Sequence, residues 1–203
     1  QKAGLYNDQM GKTAETISSK IGFFGGSFDP IHLGHLSLAK QAIQSANLDS
    51  LLLCPAYHAP LRAEKPFFSP EIRLKILEQI ARETPQIEVC KLEIEKRMTC
   101  FTYNTLKEVQ SQHPQSEIMV LLGADQFENL SNWQSSQELV QICKFLVFSR
   151  SKTEIIPPDI PGLSYQLMQN ELLDYSSTKI RNRIKSRQSV KHMLPEAAHK
   201  FIN

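Results

Sequence analysis

Two histidines three residues apart, His32 and His35, close the segment Gly22-Phe23-Phe24-Gly25-Gly26-Ser27-Phe28-Asp29-Pro30-Ile31-His32-Leu33-Gly34-His35. An apolar run from Ile21 to Phe24 leads into two consecutive glycines and a proline-containing turn. The histidines stand where a helix would begin. Glycine lets backbone N–H groups come close to an anion, and a helix N-terminus carries partial positive charge. Residues at i and i+3 share one side of a helical turn, so both imidazoles face the same way. The chemistry that fits is phosphate binding, with Gly25, Gly26, Ser27 and Phe28 as the cradle and His32 and His35 reaching the oxygens.

The glycine spacing matches neither G-x-x-x-x-G-K-[ST] nor G-x-G-x-x-G, so a Walker loop and a dinucleotide fingerprint are poor fits. Zinc wants about four N, S or O ligands. Asp29 is the only carboxylate nearby, and no cysteine lies close in sequence. Satisfied core histidines are the plainer alternative. Gly34 argues against it, because a glycine at a helix start costs stability unless something must come close.

A second anion-binding pattern lies near the other end, in Tyr175-Ser176-Ser177-Thr178-Lys179-Ile180-Arg181. Three hydroxyl residues precede a predicted helix, more than capping requires. With Arg181 one turn inside, they offer hydroxyls, N–H groups and a planar guanidinium. The basic residues in and beyond this segment (Lys179, Arg181, Arg183, Lys185, Arg187, Lys191) scatter around a helix without forming one stripe. That pattern suits a solvated face better than an RNA-binding patch.

Short apolar runs alternate with helix-like segments, which predicts an α/β fold: a Rossmann-like doubly wound parallel sheet with flanking helices. Strands are expected at 21–25, 50–54, 87–90, 118–122, 145–148 and, briefly, 165–168. Helices are expected at 32–46, 70–82, 101–112, 178–186 and 195–201, the second with Ser69 as N-cap and Pro70 in its first position. With strand order 3-2-1-4-5, the ligand crevice lies between strands one and four. Gly123-Ala124-Asp125 ends strand four as the glycine turn ends strand one. Gly123 and Asp125 are therefore nucleotide-binding candidates, with Asp125 either meeting ribose hydroxyls or capping the next helix.

The chain has 203 residues, 41% hydrophobic and 22% charged, which suits one domain over residues 21–203 behind a polar, flexible extension at 1–20. A net charge of +2 predicts no strong general attraction to nucleic acid or membrane. Four cysteines without C-x-x-C spacing read as reduced thiols of a cytoplasmic protein. No apolar run reaches the length of a membrane span, and residues 1–20 lack the apolar stretch of a signal peptide.

The segment from Gly25 to His35 resembles the H-x-G-H signature of the nucleotidyltransferase superfamily, in its G-G-[ST]-F-D-P-x-H-x-G-H form. Ser176 to Arg181, Leu122-Gly123-Ala124-Asp125 followed by Trp133, and the stretch from Ser189 to Ile202 extend the likeness. From residue 21 onward the chain resembles bacterial nicotinate-nucleotide adenylyltransferases. The resemblance implies transfer of AMP from ATP to nicotinate mononucleotide, giving deamido-NAD and pyrophosphate in NAD biosynthesis. Mg²⁺ would be carried mainly by ATP, with no dedicated metal site. His32 and His35 would serve the triphosphate, and Arg181 with Ser176, Ser177 and Thr178 its β and γ phosphates. Trp133 would stack on the pyridine ring, although a core tryptophan reads equally well from the sequence. Thr102, with Phe101 and nearby N–H groups, would hold the nicotinate nucleotide.

Two departures fall on the acceptor side. His58-Ala59-Pro60-Leu61-Arg62 stands where the family commonly has Pro-Pro-His-Lys, so Arg62 takes the place of a lysine. Cys100-Phe101-Thr102 stands where it has Ser-Tyr-Thr. The alternatives are another phosphate acceptor (nicotinamide mononucleotide or phosphopantetheine) and a non-catalytic nucleotide-binding module. Both histidines together with Arg181 argue against the second, since a sensor has no leaving pyrophosphate to stabilise. The sequence leaves open whether the chain forms a homo-oligomer.

Overall fold

A computed structural model describes residues 19–60, 64–149, 154–169 and 175–202. Arg62 and the first eighteen residues of the expected extension lie outside the described residues. In chain order the elements are β1 (Lys20–Gly26), α1 (Leu33–Ser45), β2 (Ser50–Pro55), α2 (Pro70–Glu83), β3 (Ile87–Val89), α3 (Leu92–Lys96) and α4 (Thr102–Gln112). Then come β4 (Glu117–Gly123), α5 (Ala124–Glu128), α6 (Ser136–Ile142), β5 (Lys144–Phe148), β6 (Tyr165–Met168), α7 (Ser177–Lys185) and α8 (Glu196–His199). Short 3₁₀ turns at Leu130–Asn132 and Lys191–Met193 complete the set.

The six strands form one sheet in the order β3-β2-β1-β4-β5-β6, and every pairing is parallel. Successive residues of a strand face opposite sides, so central strands covered on both faces must be apolar throughout. β4 obeys this from Ile118 to Leu122. Leu51, Leu53, Met119, Leu121 and Phe148 point into a layer shared with α1, α2 and α7, through Ala39, Ala42, Ile76, Leu77 and Ile180. Phe23, Leu52, Val120, Leu122 and Val147 point into the opposite layer, against Leu106, Val109, Phe127, Leu130 and Leu139. No helix among the described residues is long and apolar enough to cross a membrane.

Several element ends differ from expectation. The extension stops short of residue 20: Lys20 opens β1, its N–H donates to Asp49 Oδ2 at 2.7 Å, and the Ser19 carbonyl accepts from Glu117 N–H at 2.8 Å. Chain entering the sheet must satisfy its backbone groups, and the starts of the flanking strands β2 and β4 do so here. The short helices α3, α5 and α6 were not legible from spacing. The first two have five residues each, too few to show a 3.6-residue period. α6 begins after Ser135 at φ 56° with no side-chain cap. α5 is capped by Gly123 at its start, so Asp125 lies within its first turn and is not the N-cap. α7 starts one residue earlier than expected, which leaves Ser176 as the N-cap and puts Ser177 and Thr178 inside the helix.

The sheet opens at one point. β1 and β4 pair only as far as Phe23↔Val120, whereas β1 stays on β2 to Gly26↔Pro55 and β4 stays on β5 to Gly123↔Phe148. Over their last residues the two central strands part company. This is the topological switch point, where chain connections leave the sheet in opposite directions and a crevice forms at the carboxyl ends.

Candidate active site

His32 is the N-cap of α1, with extended backbone (φ −140°, ψ 170°). Its Nδ1 accepts from the His35 N–H, and His35 Nδ1 accepts from the His32 N–H, both at 3.3 Å. This is a capping box built from two imidazoles in place of the usual hydroxyl and carboxamide. The rings stack with centroids 3.7 Å apart and 27° between planes. Because each Nδ1 is used as an acceptor, we assign the ring hydrogen to Nε2. Capping thus fixes the rings, and it also fixes which nitrogen of each carries the hydrogen.

Gly34 is what permits the stack. A Cβ at that position would lie 3.0 Å from both Cε1 and Nδ1 of His32 and 3.5 Å from Tyr175 Cβ. The group that must come close is therefore the neighbouring imidazole. Phe24 and Phe28 wall the other side of His35, edge-on at 5.8 and 5.3 Å. Phe28 itself is 3% exposed and adopts φ 43°, a left-handed conformation that is strained for an aromatic residue. Gly25 and Gly26 are the last two residues of β1, opposite Cys54 and Pro55.

The second motif docks onto the first. Ser177 Oγ donates to the Pro30 carbonyl at 2.9 Å. Arg181 Nη1 donates to the Asp29 carbonyl at 2.8 Å, and Nη2 donates to Thr178 Oγ1 at 3.1 Å. Asp29 Oδ2 lies 3.8 Å from the same guanidinium. Ser176 Oγ accepts from Lys179 N–H at 3.1 Å and caps α7. Two segments some 150 residues apart in the sequence therefore meet at the mouth of β1.

Asp29 and Arg73, which spacing alone did not single out, hold this mouth together. The buried Asp29 carboxylate accepts from Phe68 N–H through Oδ1 and from Phe67 N–H through Oδ2, both at 2.8 Å. Arg73 is 1% exposed. Its Nη1 donates to the carbonyls of Ser27 (2.6 Å) and Ala56 (2.7 Å), its Nη2 to Tyr57 (3.3 Å) and its Nε to Phe68 (3.3 Å). Burial lowers the guanidinium pKa, an effect opposed by the nearby Asp29 and Glu71 charges. A signal existed: Arg73 shares the apolar stripe of α2 with Ile76, Leu77 and Ile80, and a charge on such a stripe is rarely buried without partners.

On the opposite layer, Phe101 is the N-cap of α4 and Thr102 its first residue, with no side-chain cap. Phe101 is 37% exposed. Trp133 is half-buried against the layer that contains Leu106 and Leu130, so it is partly a core residue. Gly123 and Asp125 stand at the end of β4 and in the first turn of α5. Glu93 is buried beside α4, and burial pushes its carboxyl above the usual range despite the hydrogen bond from Thr105 Oγ1 at 2.8 Å. Among the described residues no group of three or more His, Cys, Asp or Glu side chains is placed to hold a metal ion.

Comparison with known proteins bears on the family and the fold. The profile of the cytidylyltransferase-like family matches residues 23–183. A protein of Opitutus terrae described as "probable nicotinate-nucleotide adenylyltransferase" is 36% identical over 184 residues, covering 90% of this chain and 94% of that one. A protein of Clostridium novyi with the same description is 32% identical over 202 residues, covering 91% and 96%. The solved structure of Plasmodium falciparum nicotinic acid mononucleotide adenylyltransferase complexed with NaAD superposes with a TM-score of 0.72. It covers 91% of this chain and 94% of that one, and at 21% identity the likeness speaks for the fold. With the two motifs joined at the switch point and relatives this similar over nearly their whole lengths, the chain belongs to the nicotinate-nucleotide adenylyltransferases of the cytidylyltransferase-like family.

Proposed function

We propose that the chain from the start of β1 onward acts as one catalytic domain that transfers AMP from Mg-ATP to nicotinate mononucleotide, releasing deamido-NAD and pyrophosphate. The observation that carries this reading is the union of two anion-binding motifs, Ser177 on Pro30 and Arg181 on Asp29, beside two stacked histidines. A 5′-phosphate is already a nucleophile near neutral pH, so the reaction needs neither a base nor a covalent intermediate. An oxygen of the acceptor phosphate attacks the α-phosphorus in line, the bond to the bridging oxygen breaks, and pyrophosphate leaves with that oxygen's electrons. Catalysis then consists of positioning and charge stabilisation.

In this reading His32 and His35 donate Nε2–H to the triphosphate, fixed in advance by their mutual capping. Gly25, Gly26, Ser27 and Phe28 bring the loop backbone to the same phosphates. Arg181 neutralises charge on the leaving pyrophosphate, with Ser176, Ser177 and Thr178 setting the start of α7. Gly123 and Asp125 face the nucleoside side of the crevice. Thr102, Phe101 and Trp133 receive the pyridine nucleotide from the opposite layer, with Arg62 as a further acceptor-side cation. Mg²⁺ carried by ATP would lower the charge of the triphosphate that these residues hold. The protein works in the cytoplasm.

Pyrophosphate release with Mg-ATP tests the reading directly, with nicotinate mononucleotide compared against nicotinamide mononucleotide and phosphopantetheine. A strong preference for the nicotinate form is expected. His35→Ala should cut kcat/KM by at least about a hundredfold with the fold intact. A variant within threefold of the parent would remove His35 from the mechanism.

A further inference from the structure

Arg73 touches three separate loops, each through carbonyl oxygens. Ser27 belongs to the turn after β1, Ala56 and Tyr57 to the turn after β2, and Phe68 to the segment that enters α2. In a trans peptide the C=O of one residue and the N–H of the next point in opposite directions. The cis bond in this region is Asp29–Pro30, outside the peptides in question. When Arg73 draws the Ser27 carbonyl inward, it turns the Phe28 N–H away from itself. Drawing in the Ala56 and Tyr57 carbonyls turns the N–H groups of Tyr57 and His58 away in the same manner.

Three donors are thereby oriented at the carboxyl ends of β1 and β2, one strand apart in the sheet. Outward N–H groups gathered in neighbouring turns make an anion-binding concavity. The left-handed Phe28 adds to the case, since that backbone is strained and persists only where its surroundings hold it. Asp29 reinforces the hub from the other side through Phe67 and Phe68, so both strand-end turns are tied to the segment leading into α2. Glycine permits such a turn; the buried guanidinium selects its orientation.

We infer that Arg73 is a positioning residue for both substrates: by collecting carbonyls beneath the two strand-end turns, it presents the Phe28 N–H to the ATP phosphates and the Tyr57 and His58 N–H groups to the acceptor phosphate. The inference rests on the adenylyl-transfer reading for which phosphates arrive. It adds that the donors are backbone amides aimed by a side chain that never touches substrate. Lysine cannot substitute, because one ammonium on a flexible stem cannot serve four carbonyls in a planar array.

The test is an amide NMR titration of the whole chain and of Arg73→Lys. Mg-α,β-methylene-ATP is added first, then nicotinate mononucleotide. In the parent protein the Phe28 proton should move strongly downfield with the ATP analogue, and those of Tyr57 and His58 with the mononucleotide. In Arg73→Lys these responses should disappear and kcat/KM should fall about a hundredfold, the scale expected for misplacement of about 1 Å. A merely structural arginine would lower the melting temperature and leave the amide responses of the folded variant unchanged, and that result overturns the inference. If Arg73→Lys does not fold, the parent titration decides alone: unmoved Phe28, Tyr57 and His58 amides reject it. Absence of pyrophosphate release by the parent defeats the reaction, not the amide geometry, which the ATP analogue still probes.

Discussion

Gly34→Ala separates what the histidine pair does for the helix from what it does for phosphate. The added methyl would sit 3.0 Å from two atoms of the His32 ring, whereas carbon contacts are comfortable at about 3.5–4.0 Å. The ring must retreat by about half an ångström. Its bond to the His35 N–H is already 3.3 Å long, so a retreat of that size takes it out of hydrogen-bond range. Losing an N-cap costs about 1 kcal/mol, while replacing glycine by alanine within a helix returns about 0.5–1 kcal/mol. Stability should therefore change by less than about 1 kcal/mol in either direction. Catalysis has no such offset if, as proposed, the two imidazoles stacked at 3.7 Å are the groups that donate to the triphosphate. A loss of about ten- to a hundredfold in kcat/KM is expected. Urea denaturation and pyrophosphate release on the same preparation give both numbers. A variant that keeps parental kcat/KM with a normal denaturation midpoint would refute the claim that Gly34 exists to seat the His32 ring.

Glu93 and the cysteines give independent checks. Burial raises the Glu93 pKa, so its protonated form is the one the fold favours. That contribution is intact at pH values below the carboxyl's unfolded pKa and is lost as pH rises through the higher folded value. Glu93→Gln should consequently be more stable than the parent at pH 7 to 8, with the advantage shrinking as the pH falls toward 4; equal denaturation midpoints across that range would disprove the desolvation argument. Cys54, Cys90 and Cys143 are buried, and burial drives the Cys143 thiol up to about 12, whereas Cys100 is partly exposed. A thiol-reactive dye at pH 8 should label Cys100 in the native protein and reach the other three only on unfolding. Rapid native labelling of Cys143 would contradict the packing of α6 on the sheet.

Much of the proposed site could be picked out because its signals are local. A glycine pair after an apolar run, two histidines at i and i+3, and a serine ahead of α7 each declare themselves within a few residues. A parallel sheet followed from the alternation of strands and helices, since parallel strands require long crossovers that cover both faces, and the observed order extends the common 3-2-1-4-5 arrangement by one strand. The short helices escaped for the same reason in reverse, having too few residues to carry a period. Trp133 stayed ambiguous because one tryptophan can cover core and still offer a face, and it is half-buried here.

By itself, the sequence determined the parallel sheet with its switch point, and it singled out the two segments proposed to bind anions. Tertiary structure alone decided how they meet: Arg181 on the Asp29 carbonyl, Ser177 on Pro30, and Arg73 beneath Ser27, Ala56, Tyr57 and Phe68. All but the Arg73–Phe68 contact join residues well separated in the chain, through backbone carbonyls, which every residue possesses and no motif encodes. A side-chain pattern can announce a donor. Only the folded backbone can show which acceptors lie within its reach.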